Sequence, residues 1–174
     1  MNIFVDCGTE EEKKEWNDRI ITISDISKLS QEQFEHLPDD AMIRIVAEGT
    51  KEPQQELYSK SKYGEIIESI NQRFGDIEPA IKGDKNSEMK TFLEVYNRLG
   101  QISYDEYAIS AEGKQDERLQ VTSRNLEGGL LEDKCVCAGY AEILRNVLAT
   151  KNIDAKFISG HDPDTEKRTC LESS

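Results

Sequence analysis

Tyr63, Ile66, Ile67, Ile70 and Phe74 fall at i, i+3, i+4, i+7 and i+11, which is the repeat of an α-helix with one apolar face. An extended strand would scatter the same residues over both of its faces, so the pattern predicts a helix here. Gly75 is placed to close it. Two further segments carry comparable stripes. From Asn86 or Ser87 onward, Met89, Phe92, Tyr96 and Leu99 share a face, with Val95 on its flank and Gly100 at the end. From Cys137 to Lys151 the stripe is Tyr140, Ala141, Leu144, Val147 and Leu148. Asn152 follows where a residue with positive φ is wanted after a helix.

The remaining signals are extended or irregular. Residues 19–23 read as a strand. Ser30 opens a short helix, because Ser30 and Gln33 have capping-box spacing and Leu29 and Phe34 that of a hydrophobic staple. Pro38 and Asp39-Asp40 end it. Residues 41–47 form a second, mostly apolar strand, expected to be well buried. Gly49 to Glu56 and residues 76–86 read as loops. Residues 101–123 read as a long polar surface loop, and Leu126 to Leu131 as a short apolar turn. Ala155 to Ile158 is a last strand, and Asp162 to Ser174 is polar and turn-like. The expected class is α+β. A small α/β accessory region, strand–helix–strand over 1–57, precedes a core over 58–174.

A chain of 174 residues is long enough for one domain with a real core. Its 35 acidic and 22 basic side chains leave a net charge of −13. That balance argues against nucleic acid and anionic membranes, both of which reward clustered Lys and Arg. No run approaches the ~18 apolar residues of a membrane span. Met1 to Cys7 is apolar but too short for a signal peptide. A soluble chain is expected, cytoplasmic if Met1 is the native start and secreted or at the cell surface if the chain is a fragment. Four cysteines, Cys7, Cys135, Cys137 and Cys170, are too few and too irregular for a disulfide scaffold. They also lack the paired spacing of a zinc site, so neither metal nor cofactor is expected.

Cys137 carries the most chemical information. It stands at the start of the third helix, where backbone N–H groups lack internal partners and the helix dipole is positive. Both favour a thiolate over a thiol. Ala138 and Gly139 are small, so another backbone or a substrate can come close. Cys135, Val136, Ala138, Gly139 and Tyr140 are the residues expected to line a cleft around the sulfur. A buried cysteine acting as a small hydrophobe is the plain alternative.

Val136-Cys137-Ala138-Gly139-Tyr140-Ala141 resembles the nucleophile segment of the transglutaminase-like superfamily, its bacterial members in particular. Asn125 to Leu131 is similar to the turn before that segment. Phe92 to Asp105, ending in Tyr104-Asp105, is similar to the helix-then-"YD" stretch of these domains. Asn152 to Gly160 looks like the first core strand after the nucleophile helix. The match covers about residues 86–160.

The resemblance implies a papain-like α+β core, with acyl transfer from an amide through a thioester on Cys137 and a protein or peptide as substrate. It also implies a histidine on a neighbouring strand and an acidic or amide group to orient it. His36 lies in the short capped helix, on an expected solvated surface. His161, 24 residues after Cys137, matches the loop after the first strand better than the base. It is nonetheless the one weak candidate for that role. No orienting acid matches. The chain therefore reads as the nucleophile half of such a domain, with the His and Asp strands expected beyond Ser174.

Cys135 replaces the glycine that the family usually has two residues before the nucleophile. Three readings follow: a thiol acyltransferase or amidase lacking part of its site, a non-catalytic peptide- or protein-binding module on the same scaffold, or a redox pair of Cys135 and Cys137. The strand near Phe157 is expected to lack later sheet neighbours and to expose an edge open to self-association.

Overall fold

The computed structural model describes residues 19–47, 55–162 and 167–173, with side chains over 19–47 and 56–158. Met1 to Cys7 and most of the expected 49–56 loop lie outside the described residues.

The described residues open with β1 (Ile20–Ile23), a 3₁₀ turn at Ile26–Lys28, α1 (Gln31–Glu35) and β2 (Met42–Val46). The capping box is formed. Ser30 Oγ accepts the Gln33 N–H at 3.1 Å, and Gln33 Oε1 accepts the Ser30 N–H at 2.9 Å. β2 runs parallel to β1, with Ile21 opposite Ile43. It pairs antiparallel with β3 (Gln55–Ser59), with Ile43 opposite Tyr58. Sequence alone gave the start of β3 to a loop. Its inward residues, Glu56 and Tyr58, are polar or amphipathic and hide the alternation that marks a strand. β2 is buried on one face only, through Ile43 and Ile45, and not on both as its apolar run suggests.

β3 runs straight into α2 (Lys60–Phe74), with Ser59 as the N-cap. Tyr63, Ile66, Ile70 and Phe74 form the buried face, as the periodicity predicts. Burying each is worth about 1.5–3 kcal/mol. α3 (Lys85–Leu99) begins at the Asp84 cap. Its buried face is Thr91, Val95 and Leu99, while Met89 and Tyr96 are 57% and 55% exposed. The inferred stripe is therefore rotated. Val95, read as its flank, is its centre, and the partly buried Phe92 stacks on the exposed Tyr96.

The polar stretch after α3 is not one loop. It folds into β4 (Ser103–Tyr104), α4 (Glu106–Ile109), a 3₁₀ turn at Gly113–Gln115 and α5 (Glu117–Thr122). Asp105 and Asp116 cap α4 and α5. These helices are too short to show a period, so only their caps announce them. The expected turn at 126–131 is α6 (Leu126–Leu131), followed by β5 (Lys134–Cys135), α7 (Cys137–Thr150), β6 (Lys156–Asp162) and β7 (Lys167–Ser173). β5 pairs parallel with β4. β6 pairs antiparallel with β7 along seven residues. The polar tail read as turn-like thus contains a strand, and the strand at Phe157 has a neighbour.

Mixed helix and strand give an α+β chain. α7 is its central helix. Ten of its 14 residues are buried, against α3, α6, β5 and the first 3₁₀ turn. One apolar cluster runs from Ile23 to Ile153 and includes residues from both sides of position 57. Among the described residues no helix is long and apolar enough to cross a membrane.

Candidate functional site

Cys137 is the first residue of α7 and is exposed. The backbone leading to it is held on two sides. The Ser103 N–H donates to the Asp133 carbonyl at 3.0 Å, and the Asp105 N–H to the Cys135 carbonyl at 2.9 Å. The Val136 N–H donates to the Ser123 carbonyl at 3.0 Å. Asp133 takes a positive φ of 60°, turning the chain out of α6, and its carboxylate accepts from Arg73 at 2.6 Å. Val136 is the N-cap, with extended backbone and no side-chain cap bond. The first-turn N–H groups therefore lack the usual Ser, Thr, Asp or Asn oxygen.

The residues expected to line a cleft divide sharply. Cys135, Val136, Ala138 and Gly139 are buried, and Tyr140 is half-buried. The four buried ones pack into the protein. The reason is contact with the preceding elements. A Cβ on Gly139 would lie 2.5 Å from the Ser123 carbonyl oxygen and 2.7 Å from Cys135 Cβ. One on Gly129 would lie 3.2 Å from Cys135 Sγ. The close approach foreseen for Gly139 is thus to the protein's own backbone. Ser123, Gly128 and Gly129 hold this packing; the two glycines fall in the 125–131 segment that the sequence singles out, and Ser123 does not. The adjacent glycines of Glu127-Gly128-Gly129-Leu130 were the available signal.

Cys135 is wholly buried and not in a disulfide. Desolvation, with the Asp105 and Cys137 charges adding to it, pushes its thiol up to about 12. At neutral pH it is a thiol, not a nucleophile. Behind the entry to α7, Asp105 Oδ2, Thr122 Oγ1 and Ser123 Oγ are buried without a hydrogen-bond partner among the described residues. Asp105 Oδ1 accepts the Ala108 N–H at 3.1 Å. Tyr140, one turn beyond Cys137, donates its hydroxyl to the Ile102 carbonyl. It stacks on Tyr104, with centroids 6.4 Å apart and planes 12° from parallel.

His36 is exposed at the end of α1, its Nδ1 2.7 Å from the Glu32 carbonyl oxygen. His161 lies in β6, opposite Arg168 of β7, and not in a loop. Its side chain is outside the described residues, as are those of Cys7 and Cys170. Among the described residues no cluster of His, Cys, Asp and Glu could hold a metal ion. A cavity of about 340 Å³ lies between α1, α2 and the far end of α7, at Thr150 and Lys151. That end is about 20 Å along the helix from Cys137, so the cavity does not serve the sulfur. No protein-family model, no curated protein and no solved structure matches the chain.

Proposed function

We propose that this chain carries the nucleophile of a transglutaminase-like thiol enzyme with a papain-like core, acting on the amide group of a protein or peptide. The observation that carries the reading is Cys137, an exposed thiol on the first residue of an otherwise buried helix. Three features support it. The N-terminus of α7 has no side-chain cap to compete for its N–H groups. The backbone before the sulfur is fixed by β4 and by the Ser123 carbonyl. A strand pair follows the helix, where the chemistry wants a base.

In this reading the Cys137 thiolate attacks an amide carbonyl, the amine leaves with a proton, and a thioester remains. Water or a second amine then resolves it. The reading requires a base that takes the thiol proton and hands it to the leaving amine. Native protein is treated with iodoacetamide across a pH series, and the modified cysteine is mapped by mass spectrometry. Cys137 should alkylate with a midpoint well below that of an ordinary thiol, about 8.5. An activated acyl ester should leave a thioester on the wild type and none on Cys137→Ser. Alkylation at the ordinary midpoint, with no acyl adduct, refutes the catalytic reading and leaves a binding module on the same scaffold.

A further inference from the structure

The middle turn of α7 buries Glu142, Arg145 and Asn146, three polar side chains in the centre of the protein. Arg145 donates from Nε and Nη2 to the two oxygens of Glu142, at 3.1 and 2.9 Å. Its Nη1 donates to the Ser24 carbonyl. Asn146 donates to the Glu142 carbonyl at 2.9 Å and accepts the Ile26 N–H at 3.0 Å. The helix is thereby fastened to the segment that leaves β1.

A second carboxyl enters from the sheet. Glu56 of β3 and Glu142 are each only 1% exposed, and the two carboxyl groups are neighbours. Glu56 Oε2 accepts the Tyr58 hydroxyl at 3.0 Å, and that hydroxyl accepts the Leu126 N–H at 3.1 Å. Among the described residues, Glu56 Oε1 receives no donor.

Counting charges decides the state of the pair. One guanidinium faces two carboxyls, and both arms of its fork are spent on Glu142. An ionised Glu56 would be a buried negative charge beside another, with only a phenol to answer it. If Glu56 is a carboxylic acid, the oxygen that lacks a donor becomes the donor, to Glu142. We propose that Glu56 and Glu142 hold one buried proton between them, carried on Glu56, and that this proton closes the N-terminal sheet onto the helix that bears Cys137. The proposal is independent of any chemistry at that sulfur.

Burial first, and the Glu142 charge second, push Glu56 well above the usual carboxyl range. The other groups that face the cluster do not reverse this. Arg145 pulls Glu56 down but is bound to Glu142, and Asp25 faces Arg145 with a further negative charge. Tyr58 is itself pushed up by burial and by Glu56, and stays neutral.

The sign of the linkage follows. Unfolded, Glu56 ionises near the ordinary value of about 4.3. Folded, it keeps its proton to higher pH. Between the two the native state binds one proton more, so its stability falls as pH rises, by up to tenfold in equilibrium constant per pH unit. Urea unfolding of the full chain is compared with that of Glu56→Gln between about pH 5 and about pH 7. Glutamine keeps a donor for Glu142 and an acceptor for Tyr58 without needing a proton. The variant should gain on the wild type by up to about tenfold per pH unit as pH rises. Infrared difference spectra of the wild type alone provide a second measure. A protonated-carboxyl C=O band should be present in the folded protein at neutral pH and vanish on unfolding. Parallel stability curves for the two proteins, or no such band in the folded wild type, overturn the proposal.

Discussion

Replacing Gly139 with alanine tests the packing that places Cys137. The new Cβ would stand 2.5 Å from the Ser123 carbonyl oxygen, short of an ordinary 3.4 Å contact by about 0.9 Å. It would also stand 2.7 Å from Cys135 Cβ. Neither neighbour can swing aside, because one is backbone and the other is the first atom of a buried side chain. Overpacking of this kind costs about 1–3 kcal/mol. The Ser123 carbonyl also accepts the Val136 N–H that sets the entry to α7, and weakening that bond adds about 1 kcal/mol. Helix propensity returns at most about 1 kcal/mol. The net expectation is a loss of about 1–3 kcal/mol, or a fall of about 2–12 °C in melting temperature for a chain of this size. Gly100→Ala is the control. Its Cβ meets the Asn97 oxygen at an ordinary 3.4 Å, and it should be neutral or stabilise by up to about 1 kcal/mol. Thermal unfolding by circular dichroism reads both. If Gly139→Ala melts with the wild type, the close approach of α7 to Ser123 is wrong, and so is the placement of the sulfur built on it.

Cys135 should resist alkylation in the native protein at neutral pH, being buried with its thiol raised to about 12. Peptide mapping should find it modified only after denaturant is added, while Cys137 reacts before. Tyr58→Phe removes the donor to Glu56 and the acceptor of the buried Leu126 N–H. It should cost about 1–3 kcal/mol by urea titration, and a change below the error of the midpoint would contradict the network. Asp76 receives both Arg98 arms, at 2.6 and 2.7 Å, and that pairing lowers its carboxyl to about 2. The stabilisation is present above its ordinary value of 3.8 and is lost as pH falls through about 2. An NMR titration should place its midpoint near the lower figure, and a midpoint near 4 in the wild type would show the pairing to be absent in solution.

The parts of the fold legible in the sequence are those fixed by residues within a turn or two of each other. The Ser30–Gln33 capping box is one, and it forms as its spacing implies. Asn152, at a φ of 64° just past the helix that bears Cys137, is another. The buried face of α2 is a third, since its apolar residues match the helix period. Cys137 at a helix start belongs with them, because a polar-to-periodic boundary is a local signal.

Tertiary structure decided everything that depends on what lies across the chain. The face that α3 buries is set by α7 and α2 beside it, so Val95 points inward and Met89 outward despite their similar hydropathy. β7 is a strand because β6 lies against it, not because its polar sequence prefers one. Glu56, Glu142 and Arg145 look like surface residues by composition. They are inside because each finds partners there, Arg145 bonding a residue 121 positions away, as Asn146 beside it bonds one 120 away. A sequence records which side chains are apolar. Only the assembled fold records which polar ones are answered, and that is why α7 reads as a helix with one stripe and is in fact buried nearly all round.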